Sequence, residues 1–184
     1  MKTIFLMIAR VLYDKGYQEY VDAARIIRKE YPEVEFWLLG KIDNEYPNHV
    51  PENIVHRDSN SGVIHYLGYV SDVRSIILEA NCIIHPTFYN EGLSRVLMEA
   101  MALKKPIITT DIPGCRETVE DGYNGYLVKP KDVDSLVIAI RKFLSLSKEE
   151  RIAMGIHGRE KAERQFDVRK VIDIYRSITD NILH

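Results

Sequence analysis

Two cations and two carboxylates in this chain are spaced to suit an extended anionic ligand. Arg10 and Lys15 lie five residues apart, and Gly16 follows at once. If a helix starts at Gly16, its free N–H groups and the positive end of its dipole add to the two cations, which is a combination that holds a diphosphate. The bland alternative is a pair of solvated loop charges, or partners for Asp14, contributing little. Glu91 and Glu99 are eight residues apart. At helical rise that spacing is about 12 Å, too far for one acid/base pair but suited to opposite ends of a long ligand. Glu99 has its own bland reading, an ion pair with Arg95 one turn earlier. It also falls about 60° around the helix from Val96, bordering an apolar stripe with Leu93, Leu97 and Ala100 where a carboxylate needs a polar partner.

These residues need elements to position them. Short, nearly unbroken apolar runs at 4–9, 34–39, 63–67, 82–85, 106–109 and 125–128 read as strands buried on both faces. Helical patterns separate most of them. The first is expected at 16–29, where Tyr20, Ala23, Ala24 and Ile27 make one face, and Pro32 ends it. Others are expected at 72–80, 93–103 and 132–146, the last with Leu136, Ile140 and Phe143 on one stripe. Two more are expected at 147–165, with Ser147 and Glu150 as a capping box, and at 167–182. Residues 41–62 carry two prolines and four asparagines without a period and read as a surface loop. Strands alternating with helices imply a doubly wound α/β fold with a six-stranded parallel sheet. In such sheets ligands bind beyond the carboxyl ends of the strands, where both candidate segments lie.

Composition narrows the chemistry. With 184 residues, 46% hydrophobic and 28% charged, the chain suits one ordinary globular domain. A net charge of -2 offers no global attraction to nucleic acid or anionic lipid, so an anion site must be local. The two cysteines, Cys82 and Cys115, lack metal-ligand spacing, and Cys82 reads as a buried thiol. The apolar start is interrupted by Arg10, Asp14 and Lys15 and lacks a cleavage site, so it reads as a strand rather than a leader. No apolar stretch approaches the roughly 20 residues of a membrane span, which predicts a cytoplasmic chain. A dinucleotide-dependent dehydrogenase is disfavoured because no G-x-G-x-x-G follows the first run.

Four segments in order carry a resemblance: R-V-L-Y-D-K-G at 10–16, E-G-L-S-R-V-L-M-E-A-M-A at 91–102, K-P-I-I-T-T-D at 105–111 and P-G-C-R-E at 113–117. Together they resemble the C-terminal, donor-binding domain of retaining GT-B glycosyltransferases of group 1, especially bacterial capsular and O-antigen polysaccharide enzymes. No single motif is decisive; their joint order over nearly the whole chain carries the likeness. The resemblance implies that Arg10 and Lys15 grip the donor diphosphate and stabilise the departing nucleoside diphosphate, with Gly16 at the helix start. Glu91 would contact donor-sugar hydroxyls, and N–H groups at Gly92 and Leu93 would lie near the diphosphate. Glu99 would bind the ribose, and the backbone at Gly68, Tyr69 and Val70 would meet the base.

The same resemblance implies a UDP- or GDP-linked hexose or N-acetylhexosamine as substrate, no cofactor or metal, a glycan or lipid-linked acceptor and no nucleic acid. It further implies an N-terminal acceptor-binding domain of the same protein, absent from residues 1–184, so that the isolated domain is expected to be inactive. The full-length protein would be cytoplasmic or peripheral at the inner membrane face. Ser94 stands where many relatives have glycine. None of the six histidines takes the catalytic role that the missing half often supplies, and His85 reads as a packed strand residue. A noncatalytic donor-binding subunit and a GT-B-like UDP-sugar epimerase remain the alternatives.

Overall fold

In the computed structural model, which describes residues 2–90 and 92–167, six parallel strands form one sheet in the order β3-β2-β1-β4-β5-β6. They are β1 (Thr3–Ile8), β2 (Val34–Leu39), β3 (His65–Tyr66), β4 (Cys82–His85), β5 (Ile107–Thr110) and β6 (Gly125–Val128). The helices are α1 (Tyr17–Glu30), α2 (Glu52–Asn60), α3 (Arg74–Glu79), α4 (Arg95–Ala102), α5 (Val133–Ser145) and α6 (Lys148–Gln165). β1 is central: it pairs with β2 from Thr3↔Val34 to Ile8↔Leu39, and with β4 at Phe5↔Cys82 and Leu6↔Ile83. Both of its faces are covered, which is why it reads as an unbroken apolar run.

Two cores flank the sheet. On one face Phe5, Phe36 and Ile84 meet Tyr20 and Ile27 of α1, Val55 of α2 and Ile140 and Phe143 of α5. On the other, Leu6, Ile83 and Ile107 meet Ile77 of α3 and Leu97, Ala100 and Met101 of α4. Tyr20 is fully buried, and its hydroxyl donates to the carbonyls of Phe5 (3.0 Å) and Trp37 (2.9 Å), which reconciles a polar group with the core. The Ser147–Glu150 capping box opens α6 as expected. Met154 near its start reaches the first core and Ala162 near its end packs against the second. Cys82 and Cys115 are buried free thiols, and burial pushes the Cys82 thiol well above its ordinary range.

Two expectations change. Residues 41–62 are not wholly irregular, because they contain α2. Its inward positions are Val55 and Asp58, and a carboxylate in the inward slot breaks the apolar period that would have revealed the helix. Asp58 accepts from the Tyr17 hydroxyl (2.9 Å), Arg25 (2.7 Å) and Arg57 (3.2 Å), and so occupies a core position with its bonds satisfied. The second change concerns α4, which starts at Arg95 rather than residue 93. Leu93 is 40% exposed and does not belong to the buried stripe of Leu97, Ala100 and Met101. The helix expected at 167–182 lies almost wholly outside the described residues.

Candidate functional site

The strand order reverses between β1 and β4, the place in a sheet of this kind where ligands bind. A cleft of about 530 Å³ opens beyond the carboxyl ends of β1 and β2. Ile8, Ala9 and Arg10 form one wall, Leu39, Gly40 and Lys41 a second, residues 69–71 and 73 a third, and Arg95, Val96 and Glu99 of α4 the fourth. Four residues singled out in the sequence therefore meet in one place: Arg10, Tyr69, Val70 and Glu99. A somewhat smaller cavity of about 480 Å³ lies at the opposite end of the sheet, around Thr3, Asn81, Lys105 and Arg151. Two of its lining cations are already engaged: Lys105 Nζ donates to the carbonyls of Leu78 and Ala80, both at 2.7 Å, and Arg151 to those of Leu144 (2.8 Å) and Leu146 (3.1 Å).

Arg10 is held from the side by the segment that follows β2. Its guanidinium lies 3.6 Å from Asp43 and 4.6 Å from the centre of the Tyr46 ring. That segment is knitted to the loop after β1 by backbone bonds: Val11 N–H to the Lys41 carbonyl (3.0 Å), Tyr13 N–H to Asn48 (2.9 Å) and Val50 N–H to Val11 (3.1 Å). Gly40 N–H donates to the Gly68 carbonyl at 2.7 Å, which sets the turn leading to Tyr69 and Val70. Asp43, Tyr46 and Gly40 were missed in the sequence. The only signal was their position directly after a strand, where ligand loops belong.

Lys15 is not in the cleft wall. Its ammonium lies 4.5 Å over the ring of Tyr89, in the loop after β4. Gly16 ends a short 3₁₀ turn and caps α1 with φ of 84°, a left-handed conformation suited to glycine. It also has no room for a side chain, since a Cβ there would sit 2.2 Å from the Pro86 carbonyl oxygen. Asp14 is 92% buried by its 8% exposure, and its Oδ1 has no hydrogen-bond partner among the described residues. Glu19, in the first turn of α1, likewise has a buried unpartnered Oε2, and burial raises its carboxyl above the usual range.

Glu99 lies 3.9 Å from Arg95, the one-turn pair expected as its bland reading, with side-chain exposures of 41% and 87%. So open a pair holds neither residue firmly and leaves the carboxylate accessible to the cleft. Gly92 and Leu93 are exposed, precede the α4 cap and do not line the cleft. That cap is Ser94, which is buried and whose N–H donates to the Gly114 carbonyl at 3.1 Å. Glu91 lies outside the described residues. His85 is 3% exposed at the end of β4, a packed strand residue. Among the described residues no group of three His, Cys, Asp or Glu side chains is placed to hold a metal ion, and no helix is long and apolar enough to cross a membrane.

The sequence and the fold have relatives among known proteins. Among curated proteins, the chain is 28% identical over 183 residues to an N,N'-diacetylbacillosaminyl-diphospho-undecaprenol alpha-1,3-N-acetylgalactosaminyltransferase of Campylobacter jejuni, covering 99% of this chain and 46% of that protein. It is also 28% identical over 177 residues to the capsular polysaccharide biosynthesis glycosyltransferase CapM of Staphylococcus aureus, covering 96% and 45%. The chain thus spans about half the length of these relatives. Anabaena HepE, solved in complex with UDP, superimposes with a TM-score of 0.85 at 21% identity over 97% of this chain and 49% of that one, a likeness of fold. The family model of glycosyl transferases group 1 matches residues 1–161, and with the doubly wound sheet and its cleft at the β1/β4 reversal, the chain belongs to that family.

Proposed function

We propose that this chain is the donor-binding half of a retaining glycosyltransferase. In this reading it moves a hexose or N-acetylhexosamine from a UDP- or GDP-linked donor to a glycan or lipid-linked acceptor in surface polysaccharide synthesis. An N-terminal domain of the same protein supplies the acceptor site, and the enzyme works in the cytoplasm, meeting lipid-linked acceptors at the inner membrane face. The observation that carries the proposal is the convergence of Arg10, Tyr69, Val70 and Glu99 on one cleft of about 530 Å³ at the strand reversal. Its volume lies within the range of small-molecule sites. The names of the relatives and the UDP held by HepE support the choice of ligand.

The residues divide the donor between them. Tyr69 and Val70 offer backbone groups to the base, and Glu99 takes ribose hydroxyls as a hydrogen-bond acceptor. Arg10 and Lys15 flank the diphosphate, assisted by the N–H groups beyond Gly16 and those at Gly92 and Leu93, while Glu91 contacts the sugar. In the reaction the anomeric carbon's bond to phosphate oxygen breaks, a bond to the acceptor oxygen forms, and the acceptor hydroxyl proton is lost. Negative charge collects on the departing diphosphate, where cations held beside it lower the barrier most. No metal or cofactor is required by this division of labour.

Calorimetric titration of the chain with UDP, GDP and their nucleosides tests the reading. Arg10→Ala is expected to weaken the nucleoside diphosphate by about 10- to 100-fold while sparing the nucleoside, as loss of a charge-assisted bond implies. Glu99→Ala is expected to weaken both by the same factor. A folded chain that binds neither UDP nor GDP, with or without EDTA, would falsify the proposal.

A further inference from the structure

The loops after β1 and β4 are joined through a side chain that lies outside the cleft. Thr87 is fully buried. Its hydroxyl donates to the Asp14 carbonyl at 3.1 Å and accepts from the Tyr89 N–H at 3.2 Å. The same Asp14 carbonyl accepts from Phe88 N–H (3.0 Å) and Tyr89 N–H (3.2 Å), so three donors of one loop converge on one oxygen of the other. Thr87 is fixed in turn from β5, where the Thr110 hydroxyl donates to the Thr87 carbonyl, and one residue earlier Thr109 does the same to His85 at 2.7 Å.

The position of this knot gives it a purpose. Asp14 directly precedes Lys15, and Tyr89, held by Thr87, is the ring beneath the Lys15 ammonium. Gly16 on the other side rests against the Pro86 carbonyl, leaving no slack between the loops. A shift of the residue 87–89 segment therefore moves the Lys15 charge. A hydroxyl is required for the bridge: valine fills the same volume but leaves Tyr89 N–H and the Asp14 carbonyl each with one partner fewer.

We propose that Thr87 is a positioning residue for diphosphate binding, acting through Asp14 and Tyr89 to set where the Lys15 ammonium stands. The proposal rests on the assignment of Lys15 to the diphosphate. The test compares Thr87→Val and Thr87→Ser with the wild-type chain, titrating UDP or GDP, whichever the wild type binds, against the matching nucleoside, with thermal melting alongside. The expected result is a loss of about tenfold for the nucleoside diphosphate in Thr87→Val, no loss for the nucleoside, and Thr87→Ser within about twofold of wild type.

A folded Thr87→Val with undiminished diphosphate affinity overturns the proposal even if its melting temperature falls, because a merely structural threonine would behave that way. Equal losses for nucleoside and diphosphate, or Thr87→Ser as weak as Thr87→Val, overturn it too. If Thr87→Val does not fold, Thr87→Ala removes the same hydroxyl without filling its space. Selective loss of the diphosphate then supports the proposal and unchanged affinity overturns it. Failure of the wild type to bind either nucleoside diphosphate removes the donor-site reading and this proposal together, whereas wild-type binding with an unaffected Thr87→Val removes only the latter.

Discussion

Replacement of Gly16 by alanine is expected to destabilise the fold by an amount that can be separated into two parts. The first is conformational: at φ of 84° a Cβ costs about 1 kcal/mol. The second is steric, since the new atom would lie 2.2 Å from the Pro86 oxygen and 2.6 Å from its carbonyl carbon. Ordinary contact begins near 3.5 Å, so the β4 loop must retreat by roughly 1 Å, an overpacking that costs about 2 kcal/mol. The sum, about 3 kcal/mol, lowers Tm by roughly 6–12 °C in a domain of this size.

Gly68→Ala is the control, because Gly68 also has positive φ, 73°, but an added Cβ there meets nothing within 4 Å. Its expected loss is the conformational part alone, about 1 kcal/mol, or roughly 2–4 °C. Thermal unfolding followed by circular dichroism reads both variants. Equal melting temperatures for the two would refute the claim that the loops after β1 and β4 touch backbone to backbone at Gly16.

Three further outcomes follow from contacts described above. Asp43→Ala is expected to tighten nucleoside diphosphate binding roughly two- to fivefold by ending competition for Arg10, in proportion to the small worth of an exposed pair. Weaker binding in calorimetry would show that Asp43 instead holds Arg10 in its working position. Asp58→Ala strands the buried Tyr17 hydroxyl and uncouples Arg25, and is expected to lower stability by about 2–4 kcal/mol in urea titration; a loss under about 1 kcal/mol would contradict the contact. Arg141 donates to Glu30 and holds that carboxyl below its usual range. Because the folded value lies below the unfolded one, the stability it lends is present above the unfolded value and disappears as pH falls through the folded one. Melting curves of wild type and Glu30→Gln should therefore separate above about pH 5 and converge in stronger acid; parallel curves would dismiss the pair.

The sheet was legible in the sequence because its central strands β1, β4 and β5 are covered on both faces, so burial appears as plain apolar runs; β2, β4 and β6 fall at the expected residues, while β3 is confined to His65–Tyr66 of the expected 63–67. α2 was illegible for the opposite reason: Asp58 stands in its inward position, and charge satisfied by Tyr17 and Arg25 looks like a surface charge until the fold brings those partners together. At the cleft, Arg10 and Glu99 stood out by charge and spacing and Tyr69 and Val70 by the resemblance, and the fold brings the four to one place. Asp43 and Tyr46 did not stand out. They reach Arg10 only because residues 41–50 fold back along the loop after β1, a path with no periodic signature.

The pairing of β1 with β4 has a kinetic consequence. β1 and β2 pair after one helical crossover, but Phe5 must wait for Cys82, and the Asn81 side chain reaches back across 77 residues to the Ile4 N–H. Closing so long a loop is entropically late relative to the local hairpin-like packing of strand and helix. Arg10 and Glu99 sit on opposite sides of that closure, so during refolding the cleft comes into being only when the two halves of the sheet join. Ligand-binding competence then reports the joining of β1 with β4 during assembly.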